Sequence, residues 1–362
     1  MGKIVYLLGA GASFGVRNSQ QRTIHFGLDY QDYYAGRKQV HGECPNIDEG
    51  LPIVSELPER MKYILYRIRK VMHDNVLETH SASLLFETLA EDIEWLQTAS
   101  SGHATVDTFA KKLFLTQRVD DYNRLKRTLS AYFMFEQLLV KVDKRYDAFL
   151  AAILGKDAKD LPQNIRILSW NYDIQLELSY SEYLQKRDLN EIENELLLFN
   201  KTIDVNRYPL GNGFRIIKLN GSALMFDSVS RTIVDPLFFD QQFSTESIEQ
   251  IATMTQSDDN DCSLSFAWEN VGDFFLEKIK KNIEDAETLV VIGYSFPYFN
   301  RTMDKFLFQS MPGLKKIYLQ DKDPDTIEQS VTNLLTASHT TVNKTKIEKK
   351  YHTQQFYLPP EL

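Results

Sequence analysis

Five short strand-like segments alternate with helical segments along this chain. Lys3 to Leu8 is a continuous apolar run, and further strand-like runs cover residues 165–169, 215–219, 289–292 and 316–319. Continuous apolar runs are typical of strands that are buried on both faces of a parallel sheet. The alternation therefore predicts an α/β fold, with a Rossmann-like parallel sheet, helices on both of its faces and an inserted helical module.

A long interruption after the first strand predicts the domain organisation. Residues 17–57 are polar and show no sustained period, which indicates an inserted loop. Apolar side chains at spacings of three and four then follow, and we predict a helical module over residues 58–154. Residues 1–16 and 155–362 would together form the Rossmann-like domain.

Composition excludes several classes of function. With 362 residues, of which 43% are hydrophobic, the chain can bury a large core. Its net charge of -9 argues against direct nucleic-acid binding, which needs clustered Lys and Arg. Cys44 and Cys262 are the only cysteines, too few for a four-cysteine zinc site. Because we find neither a signal peptide nor an apolar run of about 20 residues, we expect a cytoplasmic protein without membrane association.

A turn of small residues follows the first strand: Gly9, Ala10, Gly11, Ala12 and Ser13. Glycines at such a position let backbone N–H groups approach a pyrophosphate at the N-terminus of a following helix. The dehydrogenase fingerprint is not matched, since Gly15 comes one place late and no second strand with a terminal acidic residue follows. This disfavours hydride transfer. A tight turn without a ligand is the alternative interpretation.

Small or polar residues also follow the other four strand-like segments. They are Asn171 and Asp173, then Asn220, Gly221 and Ser222, then Gly293 and Ser295, and finally Asp321 and Asp323. The carboxyl ends of parallel strands meet at one edge of a sheet, where open α/β folds bind ligands. Asn171 and Asp173 are therefore candidate ribose ligands, although either could instead cap the helix that follows.

The order of these motifs resembles that of the sirtuin-like domains of bacterial anti-phage defence, over nearly the whole chain. The matching motifs are Gly9-Ala-Gly-Ala-Ser13, Gly50-Leu-Pro52, Asn171-Tyr-Asp173, Leu219-Asn-Gly-Ser222 and Gly293-Tyr-Ser295. The resemblance implies that NAD binds as a substrate. The residues it assigns to NAD binding are Gly9, Ala10, Gly11, Ala12, Ser13, Pro52, Gly221, Ser222, Gly293, Ser295, Asp321 and Asp323.

The resemblance also implies an activity, namely hydrolysis of NAD to nicotinamide and ADP-ribose, which depletes NAD in abortive infection. Its catalytic residues would be Asn171, Asp173 and Asn220, where Asn220 replaces the His of the family's Leu-His-Gly motif. This replacement keeps an alternative open, a catalytically weak module that binds NAD or ADP-ribose as a sensor or assembly cue. Homo-oligomers and a partner defence protein, such as a ring-shaped ATPase, are further implications; a zinc module is not expected.

Overall fold

The computed structural model describes residues 2–15, 23–32, 36–45, 50–74, 80–202, 213–230, 232–234, 243–338 and 345–362. The chain divides into two compact units. The first comprises Met1–Val16, Val142–Ser222 and Ser265–Leu362, and the second comprises Arg17–Lys141 and Ala223–Leu264. These ranges differ from our predicted boundaries, because residues 142–154 fall in the first unit and residues 223–264 in the second.

The first unit contains a seven-stranded sheet whose neighbouring strands are all parallel. Numbered along the whole chain, its strands are β1 (Lys3–Leu8), β4 (Ile165–Ser169), β5 (Phe199–Asn200), β6 (Arg215–Lys218), β9 (Ala286–Ile292), β10 (Lys316–Gln320) and β11 (Lys346–Lys350). Their spatial order is β11-β10-β9-β1-β4-β6-β5. The predicted Rossmann-like α/β class is confirmed.

Helices cover both faces of this sheet. They are α5 (Lys144–Ile153), α6 (Gln175–Leu184), α7 (Leu189–Glu195), α9 (Asp273–Ile283), α10 (Arg301–Gln309) and α11 (Pro324–Ala337). Val5 and Leu7 of β1 belong to one core cluster with side chains of α9, α10 and α11. Tyr6 points to the opposite face, since side chains alternate along a strand, and its ring contacts Phe149 of α5.

The strand order reverses beside β1. From β1 the chain continues to β4 and then to β5 and β6 on one side, whereas β9, β10 and β11 lie on the other. The connections that leave β1 and β9 therefore run in opposite directions, and open α/β sheets bind ligands at such a reversal, at the carboxyl ends of the strands. The glycine turn after β1 and the Gly293 segment after β9 lie at this point of the sheet.

The second unit combines helices with two small antiparallel sheets. Its elements are β2 (Thr23–Asp32), β3 (Gly36–Pro45), α1 (Leu57–Asp74), α2 (His80–Ser101), α3 (Val106–Leu115), α4 (Val119–Leu139), β7 (Met225–Asp227), α8 (Thr245–Gln256) and β8 (Asn260–Cys262). Strands β2 and β3 pair as a hairpin in the segment that we predicted as a loop. Among the described residues no helix has the length and hydropathy needed to span a bilayer.

Candidate functional site

The glycine turn after β1 packs directly on the segment after β9. The Gly9 N–H donates to the Ile292 carbonyl (3.0 Å) and the Gly11 N–H to the Gly293 carbonyl (3.0 Å). A Cβ atom on Gly11 would lie 2.7 Å from the Gly293 Cα, and Gly293 itself has a φ of +59°. Backbone packing thus requires glycine at both positions, whether or not a phosphate binds there.

Most amides of this turn already have backbone acceptors. Besides Gly9 and Gly11, the Ala12 N–H donates to the Gly9 carbonyl (2.8 Å) and the Ser13 N–H to the Ala10 carbonyl (3.2 Å). The turn is a three-residue 3₁₀ helix, Ala10–Ala12. Within the described part of the chain, the Ala10 N–H has no acceptor, and this residue is exposed. Ala10 is therefore the amide of the turn that is free to donate to a phosphate oxygen.

Ser13 is the centre of a buried hydrogen-bond network. Its hydroxyl lies 2.9 Å from the hydroxyl of Tyr146 and accepts from the Asn171 side-chain amide (3.1 Å). Ser13 also lowers the pKa of the Asp173 carboxyl. Ser13, Asn171 and Asp173 are 2%, 7% and 6% exposed. Because β1 and β4 are neighbours, their carboxyl ends bring together three of the residues that we predicted for the site.

Helix capping does not account for both residues of the β4 segment. The Asp173 carboxylate accepts from the Gln175 N–H (3.1 Å) at the start of α6, as the capping alternative predicts. The Asn171 side chain instead bonds Ser13, far away in sequence, while the Asn171 N–H donates to the Ser169 hydroxyl (3.1 Å). Asn171 is thus held by tertiary contacts in a fixed orientation.

A buried lysine, which the sequence analysis missed, adjoins Asp173. Lys218 at the end of β6 donates to the Asp173 backbone carbonyl and lies 2.8 Å from the Glu177 carboxylate. Burial raises the pKa of the Asp173 carboxyl, whereas the positive charge of Lys218 and the Ser13 hydrogen bond lower it. Burial and the charge of Glu177 raise the pKa of Glu193 on α7 to about 8. Lys218 is therefore the cation that favours the ionised form of Asp173.

Arg145 of α5 supports the glycine turn from its carbonyl side. Its guanidinium donates to the carbonyls of Ala12 (2.9 Å) and Gly11 (3.3 Å) and forms a buried ion pair with Asp143 (2.6 Å). It also lies over the ring of Phe356 near the C-terminus. Sequence reasoning missed this role because residue 145 fell in the predicted helical module, with no local signal linking it to residue 11.

Asn220 lies beside the β4 segment, as the strand-end argument predicts. Its side-chain amide donates to the Trp170 carbonyl at 3.5 Å, and it is 6% exposed. The following Gly221 has a φ of +70°, and Ser222 is buried. The predicted catalytic residue Asn220 thus contacts the residue that precedes Asn171.

The other predicted ligands are less closely gathered. Ser295 is exposed beyond the end of β9. Asp323 is the N-cap of α11 and accepts from Thr326, while the Asp321 carboxylate accepts from the Asp323 N–H (3.0 Å). Helix capping thus explains Asp323 without a nucleotide. Pro52 is buried in the second unit.

The fold, rather than a metal site or a known relative, defines the class of this protein. In the part of the chain that the structure describes, no group of three or more His, Cys, Asp or Glu side chains could hold a metal ion. Comparisons with models of protein families, with curated proteins and with solved structures found no match. The class therefore follows from the fold: a Rossmann-like α/β protein with a buried polar cluster beside the reversal of its strand order.

Proposed function

We propose that this chain is a cytoplasmic NAD glycohydrolase that cleaves NAD to nicotinamide and ADP-ribose. The observation that carries the proposal is the buried cluster of Ser13, Asn171 and Asp173 at the carboxyl ends of β1 and β4. It adjoins the glycine turn at the point where the strand order reverses, which is where open α/β sheets bind nucleotides.

Few functional groups are needed for this reaction. The bond between ribose C1′ and the pyridinium nitrogen breaks with its electron pair going to nicotinamide, which leaves as a neutral molecule. Unlike in ordinary glycoside hydrolysis, no general acid is required. Water supplies the new C1′–O bond and releases one proton. Catalysis therefore depends on charge stabilisation and positioning.

Asp173 and Asn171 would supply these two effects. Burial raises the pKa of Asp173, but the charge of Lys218 and the Ser13 hydrogen bond favour its carboxylate form, which would stabilise the positive charge that develops on the ribose. The Asn171 amide would orient a ribose hydroxyl or the attacking water. Because Asn171 is fixed by Ser13 in a buried position, little reorganisation would be needed during the reaction.

A second candidate function is a binding module that holds NAD or ADP-ribose without efficient turnover. Asn220 favours it, because a side-chain amide cannot accept a proton near neutral pH as the family's His can. NAD depletion in abortive infection, homo-oligomer formation and a partner such as a ring-shaped ATPase remain proposals. They rest on the sequence resemblance.

Incubation of the purified chain with NAD, followed by chromatography of nicotinamide and ADP-ribose, tests the proposal. Asn171→Ala should lower the rate about 100-fold or more, as loss of other preorganised polar groups does. The matched control Asn333→Ala, at an exposed position of α11, should leave the rate unchanged. If the wild type forms no product but binds NAD in calorimetry, the binding module replaces the hydrolase. If it does neither, both functions are wrong.

A further inference from the structure

Two neighbouring side chains at the start of α5 hold the glycine turn. The Arg145 guanidinium donates to the carbonyls of Gly11 (3.3 Å) and Ala12 (2.9 Å). The Tyr146 hydroxyl lies 2.9 Å from the Ser13 hydroxyl. A peptide group is planar, so a carbonyl that is held in place also fixes the N–H of the next residue. Arg145 and Tyr146 therefore determine how the turn is oriented.

Phe356 lies against both of these side chains. The Arg145 guanidinium lies over its ring, 5.3 Å from the ring centroid. The Tyr146 ring is nearly perpendicular to it, with 5.0 Å between the two centroids. Phe356 itself is only 6% exposed. Cation–π contacts and edge-to-face ring pairs both depend on how the ring is oriented. The Phe356 ring therefore restricts the orientations of Arg145 and Tyr146 more than burial alone would.

Hydrogen bonds to its backbone hold the segment that carries Phe356. Residues 352–357 form neither helix nor strand. Both the amide and the oxygen of the Gln320 side chain, at the end of β10, hydrogen-bond the backbone of this segment. The Thr353 carbonyl accepts from Arg145 at 3.2 Å. These bonds place the Phe356 ring against α5.

We propose that Phe356 is a positioning residue of the candidate site. It acts through Arg145 and Tyr146, which hold the glycine turn and the Ser13 hydroxyl. Because that hydroxyl accepts from the Asn171 side-chain amide, the effect extends to a residue of the proposed catalytic pair. This role rests on the proposed function where catalysis is concerned, and on the contacts alone where the turn is concerned.

Phe356→Leu tests this role, because leucine keeps an apolar side chain in place but offers no ring to the guanidinium or to Tyr146. In NMR hydrogen exchange of the free protein, the amides of Ala12 and Ser13 should exchange about 10-fold faster relative to those of β1. Phe275→Leu is the matched control, since Phe275 is 4% exposed and belongs to the core on the other face of the sheet. It should leave this ratio unchanged.

Kinetics of the same two variants separate positioning from a loss of stability. With NAD as the substrate, Phe356→Leu should lower kcat about 10-fold, because a small displacement of Asn171 slows the reaction. The KM should change less, since Arg145 does not hold the free amide of Ala10 that would donate to a phosphate. Phe275→Leu should keep the wild-type kcat at a temperature where both variants are folded.

The possible results are distinct. Faster exchange at Ala12 and Ser13 in Phe356→Leu alone, together with the lower kcat, would support the role. Equal exchange ratios in the two variants would overturn it, and so would a wild-type kcat in Phe356→Leu. If the wild type forms no nicotinamide, the proposed function is wrong, and the exchange experiment alone decides whether Phe356 positions the turn.

Discussion

The Ser13 hydroxyl joins residues that are far apart in sequence. The sequence predicted that Ser13, Asn171 and Asp173 belong to one site, because parallel strands place their carboxyl ends together. It could not predict Tyr146 or Lys218. Tyr146 reaches Ser13 from α5, and Lys218 lies at the end of β6 with no local pattern that marks it as buried. Such partners depend on which helix packs on which face, and local sequence patterns do not specify that.

Replacing Ser13 tests whether the network is as tightly satisfied as the distances indicate. Ser13→Ala would leave the Tyr146 hydroxyl, the Asn171 amide and the Asp173 carboxylate each short of one buried partner. We expect the free energy of unfolding in urea to fall by about 1–3 kcal/mol. Ser330→Ala, at a half-buried position of α11, should change it by less than about 0.5 kcal/mol. If both variants lost the same free energy of unfolding, the hydrogen bonds of the Ser13 hydroxyl would not stabilise the fold.

At the scale of elements, the contact between the β1 turn and the β9 turn gives Gly9 and Gly11 a structural role. The sequence predicted that Gly9 and Gly11 make room for a pyrophosphate. A Cβ atom on Gly9 would lie 2.6 Å from the Gly293 carbonyl oxygen, so backbone already occupies that space. Sequence patterns show where glycine is used, but they cannot tell a ligand from a neighbouring turn.

Gly11→Ala should therefore destabilise the fold even when no nucleotide is bound. Its Cβ would contact the Gly293 backbone at 2.7 Å, where no flexible side chain can move aside. We expect a loss of about 1–3 kcal/mol, as for other overpacked positions, measured by urea unfolding without ligand. Gly313→Ala is the control, because its Cβ would meet the Ala286 carbonyl oxygen at an ordinary 3.6 Å. A Gly11→Ala protein as stable as this control would refute the packing argument.

Several strands of the fold escaped prediction, and the reasons are physical. Strand β5 has only two residues, too short for any pattern. Strand β11 reads Lys-Ile-Glu-Lys-Lys, and such charged residues are typical of edge strands that avoid further pairing. In the hairpin of β2 and β3, Phe26, Val40 and Cys44 are buried while many of their neighbours are exposed. Glycines interrupt that alternation and weaken its signal.

At the scale of the whole molecule, the chain leaves the first unit twice. The sequence predicted the first departure, because helical patterns replace strand patterns after β1. It did not predict that residues 223–264 also belong to the second unit. That segment includes α8 and the short strands β7 and β8, which look locally like further parts of an α/β domain. Only tertiary contacts, such as those of Arg127 with the carbonyls of Thr255 and Ser257, assign it to the second unit.

The first unit also buries several carboxyl groups, and this sets how its stability depends on pH. Burial raises the pKa of Glu193 to about 8, and burial likewise raises the pKa of Asp304 well above its usual range. The folded protein therefore keeps protons that the unfolded chain releases near pH 4 to 4.5. Stability from these groups is fully present below the unfolded pKa and is lost as pH rises through the folded pKa.

We expect the thermal midpoint of the wild type to fall between pH 5 and pH 8. Glu193→Gln should flatten this decline, because glutamine has no charge to bury, and should be more stable than the wild type at pH 8. One pKa unit corresponds to about 1.4 kcal/mol, which calorimetry detects readily. The exposed Glu182→Gln should retain the wild-type slope. A midpoint that rises over this range, or identical slopes in the two variants, would show that Glu193 is ionised in the folded protein near neutral pH.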